Sequence, residues 1–230
     1  MTTSNATDRG LDRRFLAFLA CFYGAWCLRV VLLMPVDDWI EAAWLQQCWS
    51  QGLRVSLWVL PVFLYIRYID RANPLTFLRL DVLPKGRPLV MGVGIAVGFL
   101  ALCIAAAFLF QGAALTKLTA MTGARWASLL GWVAIVAAAE EILFRGFIFR
   151  KLRERFPFQR ANLLNAVLFL LIHVPGWLYM QGPHWGLLTL SVSILIVGYV
   201  LGLLTEVTKS LWPPIVLHAL NNVISVTLLS

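Results

Sequence analysis

The sequence predicts an all-α, polytopic membrane helix bundle of about seven transmembrane helices, built as a single membrane domain over residues 1–230. Three observations predict it. Of the 230 residues, 60% are hydrophobic and only 13% charged, against roughly 25% charged in a soluble globular chain. The mean hydropathy is +0.81, and a soluble domain of that composition would have to display large apolar patches. Apolar runs recur at lengths that cross about 30 Å of hydrocarbon at about 1.5 Å per helical residue. Strand-like alternation, low-complexity tracts and 20-to-50-residue repeats are absent from the sequence.

The first run, Phe15 to Met34, follows Arg13 and Arg14 as a secretory signal would. Arg29 inside it, and the lack of a small-x-small cleavage site after it, make it a retained helix. The second, Leu53 to Ile69, is interrupted by Arg54 and Pro61. The others are Pro88 to Phe110, Trp126 to Phe149, Ala161 to Met180, Gly186 to Leu204 and Leu211 to Leu229. The stretch Asn73 to Asp81 mixes apolar and charged residues, and reads equally as a segment lying along the interface or as a polar connector.

Loop charges orient these helices, because cytoplasmic loops carry the excess Lys and Arg. With the N-terminus inside, fifteen basic residues fall on the cytoplasmic side, concentrated at Arg9 to Arg14, Arg67 to Arg87 and Arg145 to Arg160, with Lys209. Arg54, Lys117 and Arg125 make three outside. The asymmetry supports seven spans, a cytoplasmic N-terminus, an external C-terminus and residence in the cell membrane. The net charge of +8 is thereby a topology signal; it is scattered between apolar runs and forms no continuous nucleic-acid-binding face. Cys21, Cys27, Cys48 and Cys103 show no CxxC pair or regular spacing, which excludes a disulfide framework and a zinc knuckle. Ten Trp suit the headgroup belts and helix packing.

An ionisable side chain near the middle of a span costs about 2.5–3.5 kcal/mol on insertion scales, so each one kept there is a candidate functional group. The fourth run keeps Glu140 and Glu141, the fifth His173, and the seventh His218 with Asn222. Measured from boundaries near Arg150, Arg160 and Ser210, Glu140, His173 and His218 lie 10, 13 and 8 residues inward, roughly 12–20 Å. Three helices thus carry polar groups at matched depth, in a cavity expected to face the cytoplasmic leaflet. His218 and Asn222 are i and i+4 and share a face, as do Glu141 and Arg145. Glu140 and Glu141, about 100° apart around the helix, divide their tasks: Glu140 toward the cavity, Glu141 held by Arg145. The alanines at 137–139 let neighbouring backbones come close.

Peptide hydrolysis needs a base to activate water and donors for the oxyanion of the tetrahedral intermediate. Glu140 fits the base, His173 the orientation of water or proton delivery to the leaving amine, and His218 with Asn222 the oxyanion donors. Pro213 and Pro214 sit where a helix begins, and Pro175-Gly176 places a kink just past His173 that opens a pocket. The same atoms permit a metal: Glu140, His173 and His218 match the ligand set of a hydrolytic zinc site, although HExxH is absent. Both versions, without cofactor and with zinc, remain open at this point.

Glu140-Glu141 with Arg145, Phe169 with His173, and His218 with Asn222 form the series EExxxR, FxxxH, HxxxN on successive helices. In these motifs, and in Ser210 to Ile215 before the last, the chain resembles the CAAX-protease and bacteriocin-processing family, which includes the type II CAAX prenyl endopeptidase. The resemblance runs from about residue 126 to the C-terminus; the first half matches only in being apolar. It implies a glutamic-type endopeptidase in which Glu140 and His173 activate water and His218 and Asn222 form the oxyanion site, supported by Glu141 and Arg145. It also implies a membrane-anchored protein or peptide substrate, met within the lipid bilayer, and no nucleic acid. Some relatives are described as metal-dependent, and others serve in bacteriocin self-immunity.

Other residues take plainer readings. Arg29 lies close enough to its helix end to snorkel, His184 beside Gly182 and Pro183 is a solvated loop residue, and Asn221 is secondary to Asn222. The competing functional classes are an immunity or binding protein on the same scaffold, and a transporter. The paired, interrupted helices in symmetric halves that mark a transporter are not visible.

Overall fold

A computed structural model describes residues 11–37, 39–110 and 123–228. Arg9, Lys117 and the side chain of Arg125, which entered the charge reading, lie outside the described residues. The described chain is all-α, with no strand. Its helices are α1 (Arg13–Asp37), α2 (43–69), the short α3 (Pro74–Phe77), α4 (Gly86–Phe110), α5 (123–153), α6 (Phe158–Leu171), α7 (Val174–Gln181), α8 (Gly186–Thr208) and α9 (Trp212–Leu228). All seven apolar runs fold as helix. Length and composition qualify five as membrane-crossing: α1, α2, α4, the consecutive α6 and α7, and α8. The described residues thus give five candidate spans against the seven expected; the other two, α5 and α9, carry Glu140, Glu141, Arg145, His218 and Asn222.

Helix α2 starts ten residues before the apolar run that announced it. Its first turns are amphipathic, and their polar residues bond across to α1 and to one another: Gln46 Nε2 donates to the Asp37 carbonyl at 2.8 Å, and Arg54 to Gln51 at 3.1 Å. Two π-helical turns, Val55–Val59 and Tyr65–Ile69, flank Pro61 and absorb the hydrogen bond its missing N–H removes. The stretch 73–81 is neither plain connector nor free interfacial segment. It forms the Asn73-capped α3 and docks on the turn into α9: Trp212 Nε1 donates to the Leu80 carbonyl and Ser210 Oγ to that of Val82.

The core is aromatic. Phe15, Phe22 and Phe18 of α1 pack edge-to-face with Trp58, Tyr65 and Phe147, tying α1 and α2 to α5. Outward faces are apolar, with Leu28, Val31, Val90, Leu102 and Leu188 all exposed, as lipid-facing surfaces must be. Helix α8 lies against α6 through Gly198 and Gly202, a small-xxx-small pair that brings the two backbones together. At Gly202 an added Cβ would run into the Asn162 carboxamide, whose Nδ2 donates to the Tyr199 carbonyl at 2.9 Å.

Gly202→Ala is therefore expected to destabilise the bundle by about 1–3 kcal/mol through overpacking, read as a lower thermal unfolding midpoint in detergent. Gly94→Ala, where a Cβ meets nothing within 4 Å, is expected to hold or raise that midpoint.

Candidate active site

Helix α5 changes geometry at the carboxylate pair. It is α-helical to Glu141 and π-helical over Ile142–Ile148, the wide-turn form that recurs at functional sites. Gly146 lies in this segment, pressed between Leu78 and Leu211, where a Cβ would stand 2.7 and 3.2 Å from their methyl groups. Glu140 and Glu141 divide as expected, Glu140 lining a cavity and Glu141 held by Arg145. Glu141 pairs with Arg145 at 2.9 Å, both fully buried. Both carboxylates nevertheless converge on His218: Nδ1 is 2.8 Å from Glu141 Oε1, and Nε2 is 3.6 Å from Glu140 Oε2.

Arg145 is the hub behind the cavity. Nη2 donates to the Gly198 carbonyl of α8 at 2.9 Å, and the guanidinium lies 4.3 Å from the centroid of Phe169 on α6. The same Phe169 ring meets His173 at 5.1 Å and His218 at 5.7 Å, edge-on to both. Phe169, the first residue of FxxxH, is thus the spacer between the two imidazoles.

His173 sits in the break between α6 and α7. Its backbone N–H donates to Leu170, one residue short of the α-helical partner, which frees the Phe169 carbonyl. The His173 ring takes that carbonyl through Nδ1 at 2.9 Å. A carbonyl oxygen only accepts, so Nδ1 carries the proton and Nε2 is left as the ring's acceptor. Pro175, in the first turn of α7, keeps the helix from running on unbroken. The Ile172 carbonyl, also left over at the break, accepts from Trp26 Nε1 at 2.7 Å, and Tyr23 of α1 donates to Leu168 at 2.6 Å. Trp26 and Tyr23 thus hold α1 against the break; the sequence places Trp26 only with the belt and packing tryptophans and does not single out Tyr23.

Glu140, His173, His218 and Asn222 line one cavity of about 250 Å³. Glu141 and Arg145 stand behind its wall. Trp132 and Val136, two turns and one turn before Glu140, line it too, as do Ser225 and Val226 beyond His218. The cavity therefore extends away from the end of the bundle that gathers Arg150, Arg153 and Lys209. On the basic side of the polar residues Leu143, Phe144 and Phe169 are fully buried.

Arg54, counted from sequence as an external topology charge, also lines the cavity. Its guanidinium stacks 5.4 Å from the Trp58 centroid, is attracted by Glu140, and keeps its buried Nε without a hydrogen-bond partner. Its place in an otherwise apolar span was the available signal. Asn221 lines the cavity as well and accepts from Cys103 Sγ at 3.8 Å. Arg29 pairs with Asp37 at 2.7 Å rather than snorkelling. His184 closes its own loop, contacting Gln181 Oε1 and accepting from the Gly186 N–H. Among the described residues no three His, Cys, Asp or Glu side chains are gathered as a metal-ligand set. The Glu140, His173 and His218 donors face one cavity without converging on one point.

A carboxylate, two imidazoles and a carboxamide thus share one cavity wall inside an apolar helical bundle. Residues 121–224 match the family model described as type II CAAX prenyl endopeptidase Rce1-like, which supports an intramembrane protease. No curated protein and no solved structure matches the chain.

Removing Arg145 leaves Glu141 as an uncompensated buried charge, so Arg145→Leu is expected to cost about 3–5 kcal/mol of stability. Glu140→Gln, whose nearest charged neighbour is 3.6 Å away across an open cavity, is expected to shift the unfolding midpoint little. Thermal unfolding of the purified variants checks the split.

Proposed function

We propose that the protein is an endopeptidase that uses Glu140 to activate water against a peptide bond of a membrane-tethered substrate, without a metal. The observation that carries this reading is the common cavity wall of Glu140, His173, His218 and Asn222. In the proposed cycle Glu140 takes a proton from water while the water oxygen bonds to the scissile carbonyl carbon. His173, with Nε2 as acceptor, holds that water in line. The carbonyl oxygen becomes an oxyanion facing Asn222 and His218. As the C–N bond breaks, the proton held by Glu140 passes to the amine, leaving a new carboxyl terminus and a free amino terminus.

The His218 environment supports the oxyanion role. Its Nδ1 lies 2.8 Å from Glu141 Oε1, which anchors the ring, and its Nε2 edge is turned toward Glu140 at 3.6 Å. Arg145 in turn keeps Glu141 an acceptor. Such fixed charges need no reorganisation during the reaction, which is the main source of electrostatic catalysis.

In proteoliposomes with acyl-anchored peptides as substrate and mass spectrometry as readout, Glu140→Gln and His173→Ala are expected to lower kcat/KM at least ~100-fold while remaining folded. A binding or immunity protein would show no cleavage even as wild type. Metal analysis with activity in chelator separates the two chemistries: cleavage is expected to persist without bound metal. Stoichiometric zinc with chelator-sensitive cleavage would replace the metal-free mechanism by one in which Glu140, His173 and His218 are ligands.

A further inference from the structure

A second cavity, of about 290 Å³, lies at the opposite side of the α5 wall, where α3, the end of α5 and the α8–α9 turn meet. Five cations line it, Arg79, Arg145, Arg150, Arg153 and Lys209, against two carboxylates, Glu154 and Glu206. The pairings leave a surplus. Arg145 is committed to Glu141, and Arg153 and Lys209 share Glu206 at 3.1 and 2.9 Å. Glu154 is half exposed, and its ion pair is a loose one with Lys151 at 3.8 Å. Among the described residues, Arg79 and Arg150 have no ion-pair partner at all.

These two charges act against each other at the cavity, with Glu154 and Asp81 as the weaker attractive groups. Arg150 is held in place by the Phe77 ring, 4.9 Å below its guanidinium, so it does not swing out to solvent. Its Nη1 is buried without a hydrogen-bond partner, and so is Nε of Arg153. Buried donors are normally satisfied, so two orphaned ones on arginines that line one cavity mark a missing partner. The backbone points the same way. Only Arg71, Arg79 and Lys209 among non-glycine described residues have a positive φ, and two of these three line this cavity. Both close a helix C-terminus, Arg79 after α3 and Lys209 after α8, and this left-handed turn fixes where the two side chains leave the backbone at the cavity.

We propose that this cavity is a binding site for a phosphate oxyanion, held in the forks of Arg79 and Arg150. Guanidinium forks match tetrahedral oxyanions bidentately, and one anion removes both the repulsion and the orphaned donor. The site is independent of the peptidase reading, because nothing in it takes part in the cavity around Glu140. Arg145 borders it and holds Glu141 on its far side, so one guanidinium separates the anion from the pair that carries His218. The phosphate can belong to a lipid headgroup or be free in solution. The rim bears the exposed Leu75, Val82 and Leu83, as a site at the bilayer surface would.

The test uses the full chain in an uncharged detergent. Thermal unfolding is followed as inorganic phosphate replaces chloride at constant ionic strength, and native mass spectrometry is recorded after reconstitution with phosphatidylglycerol or with phosphatidylcholine. Wild type is expected to gain a saturable rise in unfolding midpoint with phosphate, and Arg79→Gln/Arg150→Gln to lose it. Retention of one phosphatidylglycerol, also lost in the double variant, identifies the headgroup as the source. A phosphate response without retained lipid identifies the free anion. Arg150→Gln alone gives the discriminating result: without phosphate it is expected to be at least as stable as wild type, because it removes one of two repelling charges. An equal phosphate response in wild type and the double variant, or none in either, overturns the proposal. So does an Arg150→Gln protein less stable than wild type in chloride, since that charge would then already be satisfied by the protein.

Discussion

A single buried guanidinium holds the site together. Arg145 is fully buried in a bundle whose other surfaces are apolar, and stripping water from such a charge costs several kcal/mol unless every face of it is engaged. The engagement draws in four helices: Glu141 from its own, Gly198 from α8, the Phe169 ring from α6 and, through Glu141, His218 from α9. The interaction adds little net stability, since desolvation offsets most of the attraction. Its effect is on uniqueness, because sliding any of the four helices by a residue strands a charge. The catalytic geometry thus inherits its precision from the cost of getting it wrong.

The backbone is irregular where function needs atoms placed off a regular helix. An α-helical continuation through 142–148 would turn successive side chains by about 100°, and the wider π turns instead coincide with both carboxylates meeting one imidazole. In α6 the break after Leu171 liberates two carbonyls. One fixes the tautomer of His173 and the other is taken up by Trp26. A helix with a broken ladder inside a membrane needs donors from elsewhere, and this explains why the N-terminal helix, remote in sequence from every motif, sits against the α6–α7 break. The aromatic interlock of Phe15, Phe18 and Phe22 with Phe147 keeps that helix in position.

What was legible in the sequence follows from which forces act locally. Span positions were readable because lipid imposes its thickness on composition, residue by residue. Glu140, His173, His218 and Asn222 stood out because a polar group inside an apolar run is expensive. Arg54 carries the same signal, yet at the edge of its run it passed for a loop charge. The earlier start of α2 was hidden because its first turns are amphipathic and bond to Asp37, a tertiary interaction. The π turn was hidden for a similar reason: it is stabilised by the packing of Gly146 against Leu78 and Leu211, residues 68 and 65 positions away in the chain. Depth from the basic loops was a one-dimensional measure, and it carried no information on which side of the polar layer the void lies.

That last point bears on how the two ends of the bundle divide their work. Leu143, Phe144 and Phe169 form a dry layer between the Glu140 cavity and the arginine-lined one. A peptidase inside a membrane must admit water to its carboxylate without letting the bundle flood, and a fully buried layer on one side does this at no cost in access from the other. Arg54 lines the Glu140 cavity and is attracted by Glu140, while Arg145 behind the wall is paired with Glu141. The charges around Glu140 are thus held by packing inside the bundle, and the loop charges that orient a chain in the bilayer are a separate determinant superimposed on it.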